Sequence, residues 1–311
     1  MNTAGKHKRI KAGVVQAAPV LFDLEASLTK VISWIEKGAR EGCELLLFPE
    51  SFIPAYPRGL SFDAKVGKRT AKSKDQWLDY WENSLEIPSP ILKPVQEAIR
   101  QAGMHVALGV TEKEPIGGSL YCTLAYFNEK GEITGKHRKL KPTGLERYIW
   151  AEGSGDTLTT FNTSVGKTGG LICWENYMPL ARMSMYQKGV EIYLAPTADA
   201  RESWQSTMQH IAMEGRCFVL ASNQFVKKTG YPDKYQQELT EEPEIMCPGG
   251  SVIYAPDGNL LAGPLWNRED LLTAELDFSV LVQSKLEFDV TGHYARPDVF
   301  KFHVPEQPDM I

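Results

Sequence analysis

Four segments of the chain share one pattern, in which helically spaced apolar residues are followed by a short apolar run. The four pairs are ASLTKVISWIEKGAREG with CELLLFPE, PILKPVQEAIRQAG with MHVALGVTE, PLARMSMYQKG with VEIYLAPTA, and STMQHIAMEGR with CFVLASNQF. Apolar residues recurring every three or four positions predict helices with one buried face, and the short apolar runs predict buried strands. Because the two types of element alternate, the sequence predicts a layered α/β fold.

Two other stretches, residues 122–136 and 250–263, predict β-hairpins. Each contains two strand-like runs joined by a turn with a glycine, Gly131 in the first and Gly258 in the second. Helix, strand and hairpin thus recur in both halves, and no Pro-, Gly- or Ser-rich linker separates them. We therefore predict two similar α/β halves in one domain over residues 1–311, with a core of about 8–285 and a C-terminal tail of 286–311.

Periodicity is weakest in residues 57–85 and 227–248. Such stretches between regular elements are typical of surface insertions, which often carry binding residues. The segment after about residue 290 is also aperiodic, and we expect it to lie along a surface or against a partner.

Composition and charge exclude several classes of protein. With 311 residues, 42% apolar and 23% charged, the chain has the make-up of an ordinary globular protein. Its net charge of −5 gives no general attraction to nucleic acid or anionic lipid, so neither is expected as a partner. The five cysteines are odd in number and lack a CxxC pair, which favours reduced thiols and a cytoplasmic location.

The N-terminal segment KHKRIKAGVVQAAPVLF resembles a signal peptide only superficially. Gln16 and Pro19 interrupt its apolar run, so we predict a frayed basic start followed by a first strand. No stretch approaches the 18 or more apolar residues of a membrane span, and no membrane association is expected.

Three predicted strands end in side chains that could carry chemistry: Glu50, Lys139 and Cys173. Each has a plainer interpretation alone, as a solvated or helix-capping carboxylate, a member of a basic surface cluster, or a small core residue. Active sites of α/β folds lie at strand ends, however, and these groups complement one another. Together they supply a thiol nucleophile, a carboxylate base and a cation for developing negative charge.

The other four cysteines lack such neighbours in the predicted arrangement. Cys43 and Cys217 occupy equivalent packing positions between a helix and its strand, and Cys122 lies inside a strand. Cys247 is predicted to lie in a loop, where it could be exposed.

No cofactor is expected from the sequence. The segment FNTSVGKT lacks the first glycine of a phosphate-binding loop and is followed by an apolar run rather than a helix. The six histidines show no metal-ligand spacing, so a zinc site is not predicted.

Three ordered segments resemble the signature segments of the nitrilase superfamily of carbon–nitrogen hydrolases: FPE at 48–50, HRKLKPTGLER at 137–147 and GGLICWENYMP at 169–179. The resemblance extends over nearly the whole chain and implies a four-layer αββα sandwich of two similar halves. It implies Glu50 as general base, Lys139 as catalytic lysine and Cys173 as nucleophile. Glu146, in GLER, matches a second active-site glutamate that positions Lys139 or the substrate.

Within the superfamily, the run Cys173-Trp174-Glu175 resembles true nitrilases. This branch hydrolyses a nitrile to the carboxylic acid and ammonia through a cysteine-bound thioimidate and then a thioester. The segments HRKLKPT and CWENYMPLAR are similar to those of nitrilases acting on aliphatic or arylaliphatic nitriles.

The resemblance also implies residues of the substrate pocket. Tyr56, Trp150 and Pro196 match pocket-lining positions, and the backbone N–H of Trp174 is placed to stabilise the anionic nitrogen. As plain residues, Tyr56 and Trp150 would more often be packing groups.

Two other functions stay open from the sequence. One is an amidase or N-carbamoyl amidohydrolase that uses the same glutamate, lysine and cysteine. The other is a non-catalytic scaffold that keeps the fold to bind partners, although the intact set of four site residues argues against it.

The resemblance further implies a homodimer or higher homo-oligomer, formed through the surface near the nucleophile and its following helix. The short segment after GHYARPD argues against long filaments.

Overall fold

A computed structural model describes residues 8–305 of the chain. Residues 1–7 and 306–311, which include most of the predicted frayed start and the end of the predicted tail, lie outside the described residues. The strands, in chain order, are β1 (Arg9–Gln16), β2 (Leu45–Leu47), β3 (His105–Lys113), β4 (Leu120–Phe127), β5 (Ile133–Arg138), β6 (Thr160–Thr163), β7 (Gly166–Gly170), β8 (Ile192–Thr197), β9 (Phe218–Asn223), β10 (Phe225–Lys227), β11 (Ile245–Tyr254), β12 (Leu260–Trp266) and β13 (Asp270–Asp277).

The α-helices are α1 (Leu24–Arg40), α2 (Ala71–Glu82), α3 (Lys93–Ala102), α4 (Glu146–Ile149), α5 (Pro179–Gln187), α6 (Glu202–Gly215), α7 (Asp233–Gln236) and α8 (Ser279–Lys285). None of the helices within residues 8–305 has both the length and the apolar character needed to cross a membrane.

The strands form two sheets. The first has the order β13-β1-β2-β3-β4-β5, and the second has the order β10-β11-β9-β8-β7-β6, with β12 paired to β11. In each sheet three neighbouring strands are parallel, β1 to β3 in the first and β7 to β9 in the second. Because the carboxyl ends of parallel strands meet at one edge, each sheet brings several strand ends together.

Three hydrophobic layers hold the molecule together. Alternate residues of β2 point to opposite faces of their sheet, so Leu45 and Leu47 enter the layer between the two sheets and Leu46 packs under α1 and α3. On the far side, α5 and α6 cover the second sheet with Met185 and Met208. The predicted four-layer αββα sandwich is therefore confirmed.

All four predicted helix–strand pairs form, as α1-β2, α3-β3, α5-β8 and α6-β9, and both predicted hairpins form, as β4-β5 and β11-β12. The aperiodic insertion at 57–85 nevertheless contains α2.

The prediction of Cys247 in a loop is wrong, because it lies fully buried in β11 and its thiol donates to the Gln224 carbonyl oxygen at 3.0 Å. Pro248 and two glycines follow it and interrupt the apolar run that would have marked the strand.

Candidate active site

Glu50, Lys139 and Cys173 meet at one edge of the sandwich. Glu50 follows β2 and Lys139 follows β5, so both come from the first sheet. Cys173 follows β7 of the second sheet and faces them across the inter-sheet layer. All three side chains are buried.

Lys139 is clamped between two carboxylates. Its ammonium donates to Glu50 Oε1 at 2.6 Å and to Glu146 Oε2 at 2.8 Å. Burial alone would lower the pKa of Lys139, but the negative charges around it, Glu50 foremost, raise that pKa well above its ordinary value. The lysine therefore carries a fixed positive charge, and its third N–H has no hydrogen-bond acceptor among the described residues.

Glu146 is held by further hydrogen bonds. Its Oε1 accepts from the Tyr56 hydroxyl at 2.8 Å, and its Oε2 also accepts from the Thr143 backbone N–H at 2.7 Å. Burial, followed by the charges of Glu146 and Glu50, raises the pKa of Tyr56, which keeps this phenol a donor.

Glu50 has one oxygen engaged by Lys139 and one left over. The buried Glu50 Oε2 has no hydrogen-bond partner within residues 8–305. Burial raises the pKa of Glu50, and the Lys139 charge opposes that shift. A buried carboxylate that has an unpartnered oxygen and interacts with the Cys173 side chain is well placed to take the thiol proton.

The Cys173 thiol is neutral in this arrangement. Burial and the Glu50 charge raise the pKa of Cys173 far above its ordinary value, and Lys139 only partly offsets them. Its sulfur accepts a hydrogen bond from Thr197 Oγ1 at 3.2 Å, at the carboxyl end of β8. The thiol therefore needs a base within the site to remove its proton for attack.

Cys173 occupies a strained backbone position. Its φ of +51° is rare for a residue other than glycine, and it opens the short 3-10 turn Cys173–Tyr177. Asn176 holds this turn, since its Nδ2 donates to the Leu171 carbonyl at 3.0 Å and to the Cys173 carbonyl at 2.8 Å. In this turn the Cys173 thiol lies close enough to Glu50 and Lys139 for both charges to shift its pKa.

The Glu175 carboxylate ties the two sides of the site together. It accepts from the backbone N–H of Leu140, next to Lys139, at 2.6 Å, and from that of Ile172, next to Cys173, at 2.7 Å. His137 Nε2 lies 3.0 Å from the same carboxylate.

The segment carrying Glu50 is packed closely against β3. A Cβ at Gly109 would lie 2.0 Å from the Pro49 carbonyl oxygen, so only glycine permits this approach. Ser51 then anchors the turn through bonds to the Ala55 carbonyl at 3.0 Å and to Thr111 Oγ1 at 2.7 Å.

Cys173 opens into a cleft of about 470 Å³. The cleft walls carry aromatic and charged side chains, namely Tyr56, Arg58, Glu146, Trp174, Asp199 and Arg201. The volume suits a small organic molecule with an apolar body and a few polar contacts.

Comparison with known proteins identifies the family. The sequence profile of the carbon-nitrogen hydrolase family matches residues 11–285. The chain belongs to the carbon-nitrogen hydrolase family. It is 45% identical over 301 residues to an aliphatic nitrilase of Sinorhizobium fredii (strain HH103), covering 96% of this chain and 97% of that protein. It is also 45% identical over 305 residues to a bifunctional nitrilase/nitrile hydratase of Lupinus angustifolius, covering 96% and 87%.

Solved structures of other carbon-nitrogen hydrolases share the fold. Saccharomyces cerevisiae Nit3, a member of branch 10 of the nitrilase superfamily, superposes with a TM-score of 0.74 at 20% identity, covering 93% of this chain and 97% of that one. At that identity the likeness supports the fold alone. The predicted superfamily and the predicted enzyme class, a hydrolase acting on carbon–nitrogen bonds, are confirmed by the family match and the 45% identical relatives.

The structure places the predicted pocket residues of this carbon-nitrogen hydrolase at different distances from the thiol. Tyr56 and Trp174 line the cleft with Cys173. Trp150 is buried behind Tyr56, with ring centroids 5.7 Å apart, and so supports the pocket wall from behind. Pro196 is buried within β8 and is not among the residues lining the cleft.

Sequence reasoning missed three residues at the site of this carbon-nitrogen hydrolase. Thr197 follows a recognisable strand, YLAP, and could have been found as another strand end. Arg58 lies in the insertion, where no periodicity placed it. The prediction that Cys122 lacks a neighbouring carboxylate and lysine is wrong. Its thiol lies 3.5 Å from Glu50 Oε1, and its carbonyl accepts from the backbone N–H of Lys139 at 2.8 Å.

A metal centre is not formed by the described part of the chain. Within residues 8–305, no group of three or more His, Cys, Asp and Glu side chains is arranged to hold a metal ion.

Proposed function

We propose that this carbon-nitrogen hydrolase is a nitrilase, which converts an aliphatic or arylaliphatic nitrile and two waters to the carboxylic acid and ammonia. The observation that carries the chemistry is the buried Glu50 carboxylate, which has one unpartnered oxygen, interacts with the Cys173 side chain and holds the Lys139 ammonium on its other oxygen. The choice of nitrile over other carbon–nitrogen substrates is supported by 45% identity over nearly the full chain to proteins named nitrilases.

The first step forms a bond between Cys173 Sγ and the nitrile carbon. The thiol proton passes to Glu50 Oε2, and one π pair of the nitrile moves to nitrogen. The third N–H of Lys139 stabilises that nitrogen. The backbone N–H of Trp174 can do so as well, because the first N–H groups of the Cys173–Tyr177 turn have no intrahelical acceptor. Glu50 then gives the thiol proton to the nitrogen, which yields a neutral thioimidate and restores the carboxylate.

Water completes the reaction in two stages. Glu50 takes a proton from the first water as its oxygen adds to the thioimidate carbon, and passes that proton to the nitrogen, which gives a tetrahedral amine. Glu50 then carries a second proton from the new hydroxyl to this amine, so the carbonyl forms, the carbon–nitrogen bond breaks and ammonia leaves. A thioester remains on Cys173. A second water, activated by Glu50, adds to the thioester, the carbon–sulfur bond breaks, and the acid leaves as the thiol regains its proton. The side chains of Glu50, Lys139 and Cys173 thus act as base, cation and nucleophile in these steps.

The pocket supports a compact organic nitrile. Tyr56 and Trp174 offer aromatic surface to an apolar body, and Trp150 fixes Tyr56 from behind. Glu146 would position both Lys139 and Tyr56, since it accepts hydrogen bonds from each.

Matched nitriles and amides test the proposal. Purified protein is incubated with phenylacetonitrile, 3-phenylpropionitrile and a dinitrile, and separately with the corresponding amides, and ammonia and acid are measured. We expect equal amounts of ammonia and acid from the nitriles and little of either from the amides. Hydrolysis of amides alone would assign the same residues to an amidase or carbamoylase, and no hydrolysis of either would favour the scaffold.

The surface formed by the Cys173–Tyr177 turn and the following helix α5 supports a homodimer as the assembly. Trp174, Tyr177 and Leu180 form an exposed apolar strip along the Cys173–Tyr177 turn and the start of α5, with Leu180 68% exposed. Such a strip is typical of a protein interface. Light scattering of wild type and Leu180→Asp measures the mass, and we expect a dimer that the aspartate dissociates.

The five thiols support a cytoplasmic location. All five cysteines are buried and unpaired, which suits a reducing compartment.

A further inference from the structure

Arg58 is a cation in the cleft without a carboxylate partner. One of its terminal N–H groups donates to the Ala198 carbonyl oxygen, but its buried Nε has no hydrogen-bond partner within residues 8–305. No ion pair joins Arg58 to an acidic side chain of those residues either. The guanidinium nevertheless lines the same cleft as Cys173.

The second arginine of the cleft provides a contrast. Arg201 is paired with the Asp199 carboxylate, with Nε 2.9 Å from Oδ1, and its guanidinium lies over the Trp174 ring at 4.7 Å. Its charge is therefore neutralised within the protein. Arg58, by contrast, has no carboxylate of residues 8–305 as a partner. Its guanidinium lies against the face of the Tyr56 ring, 5.4 Å from the ring centroid to its central carbon, and next to the Ala198 carbonyl and the buried Cys247 thiol.

An unpaired arginine in this position requires an explanation. Arginine stays charged in proteins, and burying an unpaired charge or an unsatisfied N–H is costly. Glu146 lines the same cleft, but both of its oxygens are already engaged by Tyr56, Lys139 and the Thr143 N–H. Arg58 therefore lines a cleft in which no acidic side chain of residues 8–305 forms an ion pair with it.

We infer that Arg58 is a carboxylate subsite, and that the preferred substrates are nitriles with a carboxylate at the end remote from the nitrile. This inference rests on the proposed nitrilase function and specifies its substrate class. The planar guanidinium can grip a carboxylate through two parallel N–H bonds, and Tyr56 holds its plane. A second cavity of about 390 Å³ also borders Tyr56, Arg58 and Glu146, so the subsite lies where the cleft continues away from Cys173.

The test compares charged nitriles with neutral nitriles of the same shape. The carboxylates are 3-cyanopropanoate, 4-cyanobutanoate and 5-cyanopentanoate, and their partners are the methyl ketones 4-oxopentanenitrile, 5-oxohexanenitrile and 6-oxoheptanenitrile. The quantity measured is the ratio of kcat/KM for each carboxylate to that for its ketone. We expect this ratio to exceed about tenfold for at least one chain length in the wild type, since hydrogen bonds to charged groups are the stronger ones.

Variants then assign the preference to a residue. Arg58→Gln should lower the ratio by about 10- to 100-fold, and Arg58→Lys, which keeps the charge but loses the fork, should lower it less. Arg69→Gln removes an exposed arginine of the same insertion that lies outside the cleft, and it should leave the ratio unchanged.

Each contrary outcome has a distinct meaning. Hydrolysis of the ketones with a ratio near one in the wild type would overturn the subsite but keep the nitrilase. A ratio that collapses in Arg201→Gln rather than in Arg58→Gln would also overturn it. No hydrolysis of any of the six nitriles, nor of the arylaliphatic ones, would overturn the proposed function together with the subsite.

Discussion

His137 and Glu175, both buried and 38 residues apart, meet with His137 Nε2 3.0 Å from the Glu175 carboxylate. The pair stands between the segment that carries Lys139 and the turn that carries Cys173. Since Glu175 also accepts from the backbone N–H groups of Leu140 and Ile172, one carboxylate fixes the separation of the lysine and the thiol. Geometry of this kind matters, because a shift of about 1 Å at a reacting group can lower a rate about 100-fold.

Replacing this carboxylate should therefore impair turnover more than binding. In Glu175→Gln the amide NH₂ must face a donor, so one of the three hydrogen bonds is lost. We expect kcat for nitrile hydrolysis to fall about 10- to 100-fold, with a much smaller change in KM. The control is Glu152→Gln, which affects an exposed ion pair with Lys141. A variant with a lower melting temperature but an unchanged kcat would reduce Glu175 to a purely structural role.

Cys173→Ala should abolish nitrile hydrolysis while leaving the fold intact. Without the sulfur no thioimidate can form, and the substitution removes only one atom. Turnover, circular dichroism and melting temperature are measured together. Cys217→Ala is the matched control, since Cys217 is buried outside the cleft and should keep its turnover. Substantial hydrolysis by the Cys173 variant would contradict the proposed mechanism.

Glu50 should set the acidic limb of the pH profile. The base works as a carboxylate, so kcat/KM falls as pH is lowered through the pKa of Glu50. Burial raises that pKa, which places the limb above the pH at which an exposed glutamate titrates. In Glu50→Gln we expect kcat/KM to fall about 10²- to 10⁴-fold and this limb to disappear from the residual activity. A limb that persists in the variant belongs to another group.

Gly109→Ala should disturb Glu50 from a neighbouring strand. The new Cβ would lie 2.0 Å from the Pro49 carbonyl oxygen, so β3 and the Glu50 segment must separate. We expect a loss of about 1–3 kcal/mol in the free energy of unfolding, measured with urea, and a lower kcat. Gly118→Ala is the control, because nothing lies within 4 Å of its Cβ position. Equal effects of the two changes would be inconsistent with this packing.

Much of the fold could be predicted from local pattern. The helix and strand periods of α1-β2 and α6-β9 are strong because each element buries one face or both, and burial imposes the spacing of apolar residues. Cys247 shows the limit of this reasoning. Its strand is recognisable only after β9 and β12 pair with β11, and such pairing leaves no local period around Pro248 and the glycines.

The residues of the candidate site likewise fall into two groups, those that local sequence indicates and those that it does not. Glu50, Lys139 and Cys173 could be proposed because each ends a strand and resembles a family segment. Arg58 and the partners of Glu175 could not, since their significance lies in contacts between residues far apart in sequence. Arg58 donates to the carbonyl of Ala198, 140 residues away, and nothing in its local sequence, AYPRG at 55–59, indicates that contact.

The division of the site between two sheets has a consequence for the folding chain. Glu50 and Lys139 come from one sheet and Cys173 from the other, so neither sheet alone contains both base and nucleophile. A half-folded molecule or a nascent chain therefore has the Cys173 thiol without its base, so it cannot form the thioimidate from a nitrile by this route. Nitrile hydrolysis therefore becomes possible only when the two sheets dock. The recovery of this activity during refolding measures the rate of that docking.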